Sequence, residues 1–221
     1  MKRRMMILKA ALVLLVAAAM VRFAHHSIAG KFYASAIIAS QGDLENFFSA
    51  MGGDLTREQQ NECVEITPAA VSEETDWRIF TLQNQYSFML AGGEVHTLCC
   101  YWGGWGVTSA LPWDYDKNGV IDLLYTYSWG SGMHRSHVSL FDMTAKKEIM
   151  LTTVYAENFD DAVVLPAEPD PPERFRVCLT DAPDSIDAPK QFVLRKWIGE
   201  VTLQEGQPVY TGCTGGQMTQ N

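Results

Sequence analysis

Residues 113–142 read WDYDKNGVIDLLYTYSWGSGMHRSHVSLFD. In the second part Ile121, Leu123, Tyr125, Tyr127 and Trp129 share one face of an extended chain, since successive side chains of a strand point to opposite sides. A Gly-Ser-Gly turn follows, and glycine supplies the positive φ that a tight hairpin needs. The return strand carries Arg135, His137, Ser139 and Phe141 on one face and His134, Ser136, Val138 and Leu140 on the other. The stretch therefore predicts a β-hairpin entered through an acidic loop.

The same texture extends in both directions. RIFTL (78–82), YSFML (86–90), VHTLCCYW (95–102), GVTSALPW (106–113), EIMLTTVY (148–155), FRVCL (175–179) and FVLRKWIGEVTL (192–203) read as short strands separated by Gly, Asn, Asp and Pro clusters. With no helical pattern between them, they predict an all-β antiparallel domain over 62–210, a sandwich or partial barrel. PAEPDPPE (166–173) reads as a surface loop, and residues 211–221 as a flexible tail. No fixed-period repeat is present, which argues against a complete propeller of similar blades. Upstream, residues 30–61 read as a short helical stalk or edge helix. Leu44, Phe47, Phe48 and Met51 form an apolar stripe, Asp43 is the expected N-cap, Gly52-Gly53 the stop, and a second helix is expected near Asp54.

Charge is unevenly placed. Residues 1–31 hold six of the 17 basic residues and no acid, leaving 11 bases against 26 acids in the rest, a balance of −15. An acidic body disfavours nucleic acid, whose phosphates need a basic face, and suits a cation-binding protein. The basic start and the apolar run over residues 10–21 are too short for an ordinary spanning helix and normal for a signal-peptide core. Residues 1–29 are read as a signal peptide, with Ser27 and Ala29 offering a cleavage site, or as an anchor touching the membrane through residues 5–21. Both readings put the remainder outside the cytoplasm, secreted or tethered by a single pass. There Cys63, Cys99, Cys100, Cys178 and Cys213 would meet an oxidising environment, so disulfide pairing is the expectation, with buried reduced thiols the alternative. Cys99 and Cys100 point to opposite faces of a strand and do not serve one site.

The acidic loop has demanding spacing. Counting from Asp114, carboxylates fall at positions 1, 3 and 9 (Asp114, Asp116, Asp122), an amide at 5 (Asn118), Gly119 at 6, and at 7 Val120, which offers a backbone carbonyl. Hard oxygen donors at alternate positions around a glycine turn suit Ca²⁺. Tyr125 stands where an EF-hand has its bidentate acid, and the chain runs straight into a strand, so the loop is not an EF-hand.

WGVTSALPWDYDKNGVIDLL resembles the calcium-loop segment of FG-GAP and VCBS-type repeats: an aromatic-Gly pair (Trp105-Gly106), a short strand, then D-x-D-x-N-G-x-x-D-L. The likeness covers about 20 residues, in one copy. It implies an extracellular, calcium-stabilised β module used in adhesion or recognition, with Asp114, Asp116, Asn118, Val120 and Asp122 as ligands.

Beyond the loop, Trp129, His134 and Arg135 form a candidate surface for a protein or glycan ligand, and Tyr101, Trp102, Trp105 and Trp113 a candidate stacking platform. Ser131 with His134 or His137 as base is the alternative, hydrolytic reading. It lacks a G-x-S-x-G elbow, and residues three apart on a strand diverge, which also separates His134 from His137 as zinc ligands. The function expected is a non-enzymatic, exported or membrane-anchored binding or structural module. The alternatives are a secreted hydrolase or a sensor or inhibitor ectodomain using the Ser131, His134, Arg135 and His137 turn.

Overall fold

The computed structural model describes residues 30–53, 55–82, 86–101, 103–130, 133, 135–156, 160–167, 173–181 and 193–213. The predicted leader, Ser131, His134, Trp102 and the tail from residue 214 lie outside them. The fold is all-β and antiparallel, among the described residues a sandwich of three four-stranded sheets formed in chain order. The first holds β1 (Cys63–Glu65), β2 (Arg78–Leu82), β3 (Tyr86–Ala91) and β4 (Glu94–Cys99). The middle sheet holds β5 (Gly106–Trp113), β6 (Asp122–Trp129), β7 (Arg135–Asp142) and β8 (Lys147–Tyr155). The third holds β9 (Asp161–Pro166), β10 (Arg174–Thr180), β11 (Leu194–Gln204) and β12 (Gln207–Gly212). Each sheet is a meander, the unit that propellers repeat around an axis. Unequal strand and turn lengths hide this repetition from any fixed sequence period.

β5, β6 and β7 of the middle sheet are buried on both faces, while β8 is its largely exposed edge. Leu123, Tyr125, Tyr127 and Phe141 pack with Ile79, Met89 and Leu98 of the first sheet. On the other side Leu111, Leu124, Val138 and Leu140 meet Val164, Phe175, Val177 and Val201 of the third. Two buried faces explain why β6 is enclosed from Asp122 through Ser128 without a polar-out alternation.

β9 docks edge-on across this sheet. Its outer backbone groups bond to hydroxyls: Ala162 N donates to Ser136 Oγ (2.9 Å), Val164 N to Ser109 Oγ (2.8 Å), and Thr108 Oγ1 donates to Ala162 O (2.8 Å). Buried Ser and Thr are placed where a strand edge would otherwise be left unpaired.

β1, β9 and β12 escape the sequence pattern. β1 is three residues long, DAVVLP is a continuous buried run beside a proline-rich loop, and QPVYTG begins next to Pro208. Residues 32–37 are extended, not helical: Tyr33 bridges Ser109, and Ile37 bridges Glu65. α1 (Gln41–Ala50) starts after Ser40, whose Oγ accepts from Asp43 N at 3.0 Å, so Ser40 and not Asp43 is the N-cap. Phe47 stacks on Phe80 at 4.3 Å, which seats α1 on the first sheet as an edge helix. α2 (Arg57–Asn61) is closed by a Thr56–Gln59 capping box, and α3 (Ala69–Glu74) buries Ala70 and Val71.

The five cysteines are free thiols, so the expected disulfides are absent. Cys63 and Cys99 sit on opposite edge strands of the first sheet, about 14 Å apart at the usual strand spacing, and bridging requires Cα atoms within about 7 Å. Burial pushes the Cys63, Cys99 and Cys178 thiols up to about 12. Cys99 is buried and Cys100 exposed, as strand alternation requires. Among the described residues no helix is long and apolar enough to cross a membrane.

Candidate functional site

The acidic loop is closed by its own side chains. Asp114 accepts from Asn118 N (3.0 Å) through Oδ1 and from Gly119 N (3.0 Å) through Oδ2. Asp116 accepts from Asn118 N (3.2 Å) and Asn118 Nδ2 (2.9 Å), while Val120 N donates to Asn118 Oδ1 (2.6 Å). Gly119 has φ +84° with open space where a Cβ would stand, so its requirement is conformational and not steric. The neighbouring β7–β8 turn seals the loop: Met143 N donates to Asp122 Oδ1 (2.8 Å), and Asn118 Nδ2 reaches Thr144 Oγ1 (3.4 Å).

Asp122 is the unusual member. It is 1% exposed, and its Oδ2 is buried without a hydrogen-bond partner. Burial, and then the charges of Asp142, Asp116 and Asp114, push its carboxyl up to about 6 against the bond from Met143 N. A hard cation would complete this oxygen-rich set, and the donor chemistry fits Ca²⁺. Among the described residues, however, no three His, Cys, Asp or Glu side chains converge as ligands of one ion. Asp114 and Asp116 are turned toward loop amides, and Asn118 Oδ1 is engaged by Val120 N. Asp142 was not singled out by spacing, because it lies on the other strand of the hairpin.

At the far end of β6 stands an aromatic cluster. Its seven residue steps from Asp122 to Trp129 amount to about 23 Å, so the loop and the Trp129 surface are not adjacent. Trp129 and Arg135 are directly opposite across the hairpin, and Arg135 is opposite Tyr155 on β8. The Arg135 guanidinium lies 4.9 Å from the Trp129 ring and 5.6 Å from the Tyr155 ring. Tyr101 stacks on Trp129 at 5.3 Å and meets His137 at 5.5 Å. The aromatic platform expected from the sequence is therefore divided. Tyr101 joins Trp129, whereas Trp113 is buried against Phe175 at 4.7 Å. Tyr155 was missed, since its place opposite Arg135 needs the strand register, and Tyr101 was read with Trp102, Trp105 and Trp113 and not as the neighbour of Trp129.

Beneath the cluster a relay fixes His137. Glu148 Oε1 accepts from Tyr127 Oη (3.0 Å) and Ser139 Oγ (2.6 Å). The single phenolic proton of Tyr127 is thus committed, so the 2.6 Å contact with His137 Nδ1 needs the imidazole to donate. Burial, opposed by Glu148, holds His137 below its ordinary pKa and favours the neutral ring. His137 is thus buried and held in place through Nδ1 beneath the cluster.

No family model, no curated protein and no solved structure matches the chain.

Proposed function

We propose that the chain is an exported or membrane-anchored, non-enzymatic binding module, steadied by one Ca²⁺ and presenting a ligand face at the Trp129–Arg135 end of its middle sheet. Asp114, Asp116, Asn118, the Val120 carbonyl and Asp122 are the proposed ligands of the ion. The observation that carries the calcium reading is Asp122 Oδ2, buried and unpaired close to three other carboxylates. A cation would neutralise that crowding and hold the start of β6, the strand whose other end carries Trp129. The ion acts on the ligand face only through the hairpin. The basic leader followed by an apolar run supports export. His137, 5% exposed and bonded to Tyr127, lends nothing to a hydrolytic role for the turn.

Lacking a bidentate acid at position 12, the loop should bind Ca²⁺ in the extracellular range, about 10⁻⁴–10⁻³ M. Free calcium tenfold above Kd then stabilises the fold by about 1.4 kcal/mol. Thermal melts in chelator and in millimolar Ca²⁺ should differ by a few degrees, with Mg²⁺ a poor substitute, and Asp116→Ala should abolish the difference. Coincident melts together with a flat calorimetric titration overturn the calcium reading. Turnover of an ester, glycoside or peptide that disappears in Ser131→Ala or His134→Ala overturns the non-enzymatic one.

A further inference from the structure

We propose that the surface running from Tyr101 over Trp129, Arg135 and Tyr155 into the adjoining cavity binds a saccharide bearing carboxylates. This rests on the reading of that end of the middle sheet as a ligand face, and it names the class of ligand. Tyr155 is 71% and Tyr101 43% exposed, so two ring faces lie open for the C–H face of a sugar to stack on. Past Tyr155, between the middle and third sheets, lies a cavity of about 570 Å³, within the usual size of a small-molecule site. Leu179 and Ile198 line it apolarly, and Tyr210 and Lys196 add polar groups.

Charge selects among saccharides. Acids outnumber bases in this chain, yet among the described residues no ion pair involves Arg135 or Lys196. Arg195, which lines the same cavity, is by contrast held by Asp160 and Asp181. Tyr155 thus stands between a cation that stacks on it and another on the cavity wall, neither of them neutralised. The unpaired buried side-chain atoms of Trp129 and Arg135, Nε1 and Nε, are both donors, so oxygen acceptors are what this neighbourhood lacks. A uronate-type sugar brings ring faces, many oxygens and one carboxylate per ring. An acidic peptide brings the charge without the faces, and an acyl chain would have to lie beside Lys196 and Arg195. The acidic body does not forbid the ligand, because at physiological salt charges beyond about 8 Å are largely screened. Arg135 supplies a planar fork, pre-set by Trp129, for one carboxylate, and Lys196 a point charge for the next.

The test is calorimetric titration of the full chain with a galacturonate tetrasaccharide, its methyl ester, and poly-glutamate of matched charge. The acid sugar should bind at least about tenfold more tightly than the ester. Arg135→Gln, Lys196→Gln and Tyr155→Ala should each weaken it about tenfold, a loss of about 1.4 kcal/mol. Tyr155 and Lys196 are exposed, so those two variants should keep the wild-type melting midpoint. Equal binding of acid and ester, still lost in Tyr155→Ala, overturns the acidic class and leaves the ligand face standing. Poly-glutamate binding as tightly as the sugar overturns the saccharide. No binding of either sugar overturns the proposal outright, while calcium-dependent melting judges the stabilised-module reading independently.

Discussion

Ser109→Ala tests how the third sheet is held to the middle one. The hydroxyl protons around β9 can be assigned by counting. Thr108 gives its proton to Ala162 O, so the 2.9 Å contact between Thr108 and Thr126 must use the Thr126 proton, and the 2.6 Å contact between Thr126 and Ser109 that of Ser109. Ser109 Oγ is then the acceptor for Val164 N at 2.8 Å. One directional chain links the amide of Val164 to the carbonyl of Ala162, and Ser109, Thr126 and Thr108 are all buried. Replacing Ser109 by Ala removes the acceptor of a buried N–H and one partner of Thr126. An orphaned buried donor costs about 1–3 kcal/mol, and with the second lost bond we take about 2 kcal/mol. At this chain length that is a fall in Tm of about 4–8 °C. Ser136→Ala, which orphans Ala162 N, should cost about 1–2 kcal/mol, and the double variant should depart from additivity because both bonds dock one strand. Urea unfolding should show a lower midpoint at unchanged slope, and hydrogen exchange should show faster loss at Val164. The control is Ser72→Ala, where the hydroxyl is exposed and the change should stay within about 0.5 kcal/mol. If Ser109→Ala is as mild as Ser72→Ala and Val164 keeps its protection, hydroxyls do not seal the β9 edge.

Two further outcomes follow from the same packing. His96 and His137 are held below their ordinary value of 6.5, in each case chiefly by burial. Their stabilising contribution is full above 6.5 and is lost as pH falls through the lower folded value, because the unfolded chain takes up the protons first. Buried acids such as Glu65, raised by burial, shift stability the opposite way at lower pH, so the isolating measurement is the urea midpoint of wild type minus His137→Gln between pH 7.5 and 5. A difference that does not change with pH refutes the neutral-histidine assignment. Gly104→Ala should be severe: at φ +71° a Cβ would meet the backbone of Ser128 and Trp129 at 2.5 Å. A loss of at least about 3 kcal/mol, with changed Trp fluorescence, is expected. A variant that melts like wild type means the Tyr101 segment is not clamped against β6.

The sequence by itself determined the period-two strands and hence the fold class. It also determined the two faces of the β6–β7 hairpin, since Tyr127, Trp129, Arg135 and His137 meet on the side alternation assigned to them. The Asp114–Asp122 spacing, with glycine at the turn, was equally legible, because local hydrogen bonding within nine residues fixes such a loop. What spans the molecule was not. The hidden strand β9 depends on which partner it reaches, being buried with hydroxyls of distant strands as its edge partners, whereas the Ser40 cap, read as Asp43, is a local bond three residues long. The disulfide expectation failed for the same reason as β9, as redox chemistry asks for pairs but only strand order sets the distance between Cys63 and Cys99. The Asp142 charge beside Asp122, and the Tyr155 ring beside Arg135, come from cross-strand register. Register is the sum of many weak contacts over two buried faces, and a single strand read alone contains only half of each pair.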